Sequence, residues 1–473
     1  MGSIAKKNNI LLLIADDLGK YLGCYGEHSI QTPNIDKLAS QGAVFDMAFT
    51  STASCSASRS VIYTGLHTHE NGQYGLNNNR HHFTTFDHVE TAPKVLNDLG
   101  YQTGIIGKVH VGPDAVYPWQ IREESGTRDV AWVADRAEAF FGKAKEAEKP
   151  FFLTVGYIDP HRDLTRSGFG NTDDLTDPRI KPSSYTPADV NIPVFLSDLP
   201  EVREELAEYY RSIHRLDQGV GLVLAALEKE GLADDTLVVF MSDNGPPFVN
   251  SKTTLYDAGV RLPLVVRRPG GAANIRNQNM ISYIDILPTF LDWTGHSEVR
   301  GARQGRSFLS IIDKEDRIEG WDKVFGSHTF HEVTNYWPTR YMRTPKFKYH
   351  RNIAWKLDFP FAADLYGSLT WEGIRNAKPT MLGSRSLKAY IQRPAEELYD
   401  LEADPQEVSN LADDLKYAAQ LKEMRTELEA WQVRTDDLWF FRDGVSMPLI
   451  KHHIKAGLKV PDQFDIDIDS PGN

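Results

Sequence analysis

Four short apolar runs in this chain stop abruptly at polar residues, and that pattern restricts the fold more than any other feature. Ile10–Ala15 ends at Asp16-Asp17, and Thr103–Gly107 at Lys108-Val109-His110. Phe151–Ile158 ends at Asp159-Pro160-His161-Arg162, and Thr236–Ser242 at Asp243-Asn244-Gly245. The runs are continuous and not alternating, which suits strands buried on both faces, as in a parallel sheet. Helical segments lie between them. Thr32–Gly42 has proline near its start and glycine at its end. Ala92–Leu99 and Val130–Glu148 follow, and then Glu201–Gly231, with Ile213, Leu216, Val220 and Leu224 on one face. Ala43–Phe49 and Leu262–Arg267 read as further strands, and Asp285–Trp293 as a helix. This alternation predicts an α/β fold, a large mostly parallel sheet sandwiched by helices. Ligands of such sheets bind at the carboxyl ends of the strands, so the four polar clusters are expected at one rim.

The pattern changes after Pro338. Phe347–His350 and Glu397–Leu401 read as alternating, half-buried strands, and Tyr417–Arg434 as an amphipathic helix. The expected division is a catalytic domain over 1–338 and a smaller α+β unit on an antiparallel sheet over 339–473. Gly168–Pro200 reads as a surface excursion and Lys459–Asn473 as an acidic surface arm.

The net charge of −13 argues against nucleic acid or an anionic membrane as the main partner, although a local pocket of cations can still take a small anion. Two cysteines, Cys24 and Cys55, give no disulfide framework. The N-terminus runs directly into the first strand. With no cleavage site, no Asn-x-Ser/Thr acceptor and no membrane-spanning run, a cytoplasmic location is expected.

Asp16, Asp17, Asp243 and Asn244 are all oxygen donors. That set favours one hard divalent cation, Ca²⁺ ahead of Mg²⁺, over zinc. Cys55 lies in a small, hydroxyl-rich loop from Thr52, and by residue type alone it could be a nucleophile, a redox thiol, a metal ligand or a buried side chain.

Cys55-Ser56-Ala57-Ser58-Arg59, closed by Thr64-Gly65, matches the pattern Cys-x-Pro/Ala-x-Arg. With Asp16-Asp17, Gly107–His110, Ser242–Gly245 and the Glu397–Leu401 stretch in the same order, the chain resembles the type I sulfatases of the alkaline-phosphatase-like superfamily. Asn71–Leu76, His81–Phe83, His110–Pro113, Asp159–Arg162, Asp217–Leu224 and His331–Thr334 are similar to the sulfamidase branch. That branch carries arginine where this chain has Lys252.

The resemblance implies that a formylglycine-generating enzyme converts Cys55 to formylglycine. The aldehyde hydrate then hydrolyses a small sulfated substrate through a covalent sulfo-enzyme intermediate. It makes Asp16, Asp17, Asp243 and Asn244 the metal set, and gives Arg59 the support of the diol. Lys108 and Lys252 would bind sulfate, His110 would act as base and His161 as leaving-group acid. His81, His82, His328 and His331 are candidates for the substrate pocket. Arg162 would meet a second anionic group or lie exposed. The alternatives are an arylsulfatase, a phosphodiesterase or phosphonate monoester hydrolase on the same fold, and an unmatured binding protein; a homodimer is left open.

Overall fold

The computed structural model describes residues 8–78, 80–163, 168–171, 177–440, 452 and 454–457. The expected acidic arm from Lys459 lies outside the described residues, as does part of the Gly168–Pro200 excursion. Eight strands form the large sheet: β1 Asn9–Ala15, β2 Ala43–Phe49, β3 Gln102–Gly107, β4 Ile121–Glu124, β5 Phe151–Gly156, β6 Thr236–Ser242, β7 Arg261–Arg267 and β8 Ile275–Ser282. Their order is β4-β3-β5-β1-β6-β7-β2-β8. All pairings are parallel except those of β7, which runs antiparallel to both β6 and β2.

The continuous apolar runs are explained by burial on both faces. Leu11, Leu13 and Ala15 of β1 face a core shared with helices Val130–Glu146 and Pro200–Lys229. Ile10, Leu12 and Ile14 face the opposite core, with helices Cys55–Thr64, Ala92–Asp98 and Ile286–Trp293. Each fully buried side chain of this kind contributes about 1.5–3 kcal/mol of transfer free energy. On the long helix the buried stripe is Ile213, Leu216, Val220, Val223 and Leu227. Leu224, expected on that face, lies half-buried at its edge. The 3.6-residue turn carries the stripe through Val223, one position earlier.

A second, antiparallel sheet has the order β14-β11-β10-β9. It is built from β9 Val324–His328, β10 Thr339–Arg343, β11 Phe347–Asn352 and β14 Glu396–Asp400. The short pair β12 Met381–Leu382 and β13 Arg385–Ser386 stands apart. The sheet draws its first strand from ahead of residue 338. β11 and β14 do not alternate as expected, because both are buried nearly throughout. Helix Ala418–Arg434 covers one face through Leu421, Met424, Leu428 and Trp431. The other face meets the large-sheet unit, where Tyr341 Oη donates to the Thr50 carbonyl at 2.9 Å and Tyr256 Oη to Glu397 at 2.8 Å.

Candidate active site

The strands β3, β5, β1 and β6 are consecutive neighbours in the sheet. The four polar clusters therefore sit side by side at one rim, although they are far apart in sequence. Between β3 and β5 the backbones approach closely. A Cβ on Gly156 would lie 2.2 Å from the Lys108 carbonyl oxygen and 3.1 Å from Arg59 Nη1, so only glycine fits there.

Into this rim the helix Cys55–Thr64 points its N-terminus, with Ser54 as cap and Cys55 as first residue. Its orphan amides and dipole place partial positive charge at Cys55. Cys55 is 1% exposed, and its Sγ lies 3.7 Å from Asp17 Oδ1. Burial, then the Asp16 and Asp17 carboxylates, push the Cys55 thiol well above its usual range. The preceding loop is pinned by three imidazoles: His67 to Ser51 at 2.8 Å, His328 to Thr52 at 2.9 Å and His331 to Ser54 at 2.9 Å.

One helical turn after Cys55, the fully buried Arg59 donates from Nε to Asp243 at 2.9 Å and from Nη1 to the Lys108 carbonyl at 3.3 Å. Lys108 pairs with Asp16. Lys252 donates to Asp17 at 2.7 Å and to Asp364 at 2.7 Å, and its Nζ stands 3.2 Å from His161 Nε2. Burial alone would lower Lys252, but Asp17 and Asp364 hold its pKa well above the usual range. His161 and His110 are both lowered: His161 by burial and Lys252, His110 by burial and Lys108. The Nδ1 of His110 is buried and has no hydrogen-bond partner among the described residues.

The donor set fits a hard cation. Carboxylate oxygens of Asp16, Asp17 and Asp243 all lie within 4.8 Å of one another. Asp16 Oδ1 and Asn244 Oδ1 are buried without a partner among the described residues, and Asn244 Nδ2 donates to Asp17 Oδ1 at 2.6 Å, which fixes the amide. Burial and the Asp16 charge raise Asp243, the crowding of like charges that a divalent ion relieves.

Not every expected residue faces this centre. Arg162 is neither exposed nor open to an anion: it is 4% exposed, pairs with Glu205 and donates to the Pro247 carbonyl at 2.8 Å. Glu205 turns inward from the long helix to receive it. His328, 2% exposed, is a buried loop anchor whose ring Nδ1 is taken by Thr52; His331, 3% exposed, anchors Ser54 through Nδ1 and also lies within electrostatic reach of Lys252, Asp364 and His161. His82 is exposed with a left-handed φ of 53°, and His81 accepts from the Val333 amide at 3.3 Å. The sequence reading missed Asp364, an isolated acid in the single-turn helix Ala363–Tyr366 with no motif around it.

Comparison with known proteins follows the same lines. The family described as Sulfatase matches residues 8–296, and the family described as N-sulphoglucosamine sulphohydrolase, C-terminal, matches residues 249–357. The chain is 38% identical over 479 residues to N-sulphoglucosamine sulphohydrolase of Homo sapiens, covering 93% of each chain. A solved protein in complex with its substrate D-glucosamine-2-N,6-O-disulfate superposes with a TM-score of 0.68 at 21% identity, over 92% of this chain and 99% of that one. The phosphonate monoester hydrolase of Agrobacterium radiobacter gives 0.65 at 20% identity, over 90% and 96%. The last two likenesses concern the fold.

Proposed function

This chain belongs to the sulfatase family and is a hydrolase of the sulfatase type, and on that premise we propose that it cleaves the sulfamate of an N-sulfated glucosamine with residue 55 in its formylglycine form. The observation that carries the substrate is the end-to-end likeness to human N-sulphoglucosamine sulphohydrolase, 38% identity over 93% of both chains. The chemistry is supported by the setting of residue 55. It stands at a helix N-terminus, beside an all-oxygen donor set and within reach of the charges of Lys108 and Lys252.

A formylglycine hydrate supplies two hydroxyls on one carbon, one to attack sulfur and the other to expel sulfate afterwards. Asp16, Asp17, Asp243 and Asn244 would hold a divalent cation, Ca²⁺ by preference, whose charge lowers the pKa of a nearby hydroxyl and offsets sulfate oxygens. Lys108 and Lys252 place fixed positive charge where the sulfo group must sit. His161, 26% exposed at its side chain and beside Lys252, is placed to hand a proton to the leaving nitrogen once it carries one. The free Nδ1 of His110 suits it to take the proton of the second hydroxyl. Arg59 holds Asp243 and the Lys108 backbone in register beneath residue 55.

The test is to offer the matured enzyme N-sulfoglucosamine and an aryl sulfate in parallel, with peptide mass spectrometry across residue 55. Expected are an aldehyde at position 55 and a higher kcat/KM on the sulfamate. Preference for the aryl ester would remove the sulfamidase reading, and full activity with an intact thiol would remove the nucleophile.

A further inference from the structure

A carboxylate beside a sulfate site and outside the Asp16, Asp17 and Asp243 set is an anomaly. Asp364 accepts from Lys252 Nζ at 2.7 Å, drawing on one of the ammonium groups available for sulfate, and repels any anion that approaches. Its side chain is 21% exposed, against 1% for Lys252. It therefore lies on the open side of the lysine, next to His161, whose side chain is 26% exposed. Ligand atoms of Asp17, His161 and Asp364 lie within 4.8 Å of one another.

The placement of Asp364 is fixed. Its Oδ1 accepts from the Leu365 amide at 2.9 Å, and the Ala363 amide donates to Glu332 at 3.2 Å. Downstream, the amides of Leu369 and Thr370 donate to Glu205 at 3.2 and 3.0 Å, the same carboxylate that holds Arg162 beside His161. One buried glutamate thus ties the Asp364 segment to the His161 loop.

The two reaction classes differ in the charge left on that side. Hydrolysis of a sulfamate breaks S–N, leaves the electron pair on nitrogen and transfers the sulfo group to water: R–NH–SO₃⁻ + H₂O gives R–NH₃⁺ + SO₄²⁻. A sulfate ester gives a neutral alcohol, SO₄²⁻ and a free proton. Only the first builds a cation where Asp364 stands. We propose that Asp364 is the residue that selects amine over alcohol leaving groups, pairing with the leaving nitrogen as it gains positive charge. The inference rests on the sulfamidase reading above.

Asp364→Asn keeps the shape and the acceptor for Leu365 and removes the charge. The readout is the ratio of kcat/KM for N-sulfoglucosamine to that for 4-nitrophenyl sulfate. We expect the ratio to fall about tenfold or more, the scale of one partly buried charge pair. A ratio within about twofold of wild type overturns the role, since a residue that only positioned Lys252 would depress both substrates together. A second measurement uses the unaltered enzyme. Glucosamine, a cation, should inhibit more strongly than neutral N-acetylglucosamine, and equal inhibition counts against Asp364. A wild-type enzyme that cleaves the aryl ester but not N-sulfoglucosamine overturns the substrate reading itself, and the inference with it. One that cleaves the sulfamate while the variant's ratio stays unchanged overturns Asp364 alone.

Discussion

Arg59 has no solvent exposure, and its nearest charge, Asp243, has none either. Removing one partner of such a pair leaves an unpaired buried ion, which costs about 3–5 kcal/mol. Arg59→Ala is therefore expected to lose about that much in a denaturant titration, and Arg59→Lys to recover only part, because an ammonium cannot reach Asp243 and the Lys108 carbonyl together. Cys55→Ala, in contrast, removes a small buried side chain. It should fold and melt near the parent while turnover drops about a thousandfold or more. Residues inside the short motifs were legible in the sequence because strand ends and a helix start fix where they point. Arg162 and His331 were not. Their partners, Glu205 and Ser54, come from other elements, and no spacing along the chain records that. Asp364 was invisible for the same reason, as its meaning comes from Lys252, which lies on a different loop.

Among the elements, Asp217 shows how helices brace one another. From the middle of the long helix it accepts the Ile35 amide at 2.8 Å and the Asn34 amide at 3.1 Å, capping the neighbouring helix Pro33–Ser40. Burial raises its pKa to about 6. Its native pKa lies above the unfolded one, so the folded state binds the proton more tightly. The associated stability is complete below about pH 4 and is lost as pH rises through about 6. Asp217→Asn should flatten the stability profile between those values, and Asp217→Ala should cost about 0.5–2 kcal/mol throughout, measured by denaturant unfolding. Strands with unbroken apolar runs were readable. β8, Ile-Arg-Asn-Gln-Asn-Met-Ile-Ser, was not, because it is an edge strand whose Asn277 is buried and satisfied by the Ile311 carbonyl at 2.7 Å. The reversed direction of β7 also leaves no trace in its own residues, since direction is set by the connection and not by the apolar run.

For the whole molecule, the gathering of four distant clusters at one rim followed from the general rule for α/β sheets. The way the second sheet grips the cysteine loop did not, since it depends on single contacts such as Tyr341 to Thr50. Asp16 and Asp17 follow β1 and Asp243 follows the adjacent β6, so a cation bound there favours the folded state over the unfolded one. At a hundredfold excess over its Kd, Ca²⁺ should stabilise chelator-treated protein by about 2.7 kcal/mol, seen as a raised Tm, while Asp243→Ala should abolish the shift. A further consequence concerns time. β1 is complete at Ala15, but its neighbour β6 does not begin until Thr236. At a synthesis rate of roughly 5–20 residues per second, the strand that seals the rim leaves the ribosome about 10–45 s after the first. In the finished protein Cys55 is 1% exposed. During that interval the sheet lacks β6 and the Asp243 that follows it, so an enzyme acting on the Cys55 thiol has this period of synthesis, before the rim closes, in which to reach it.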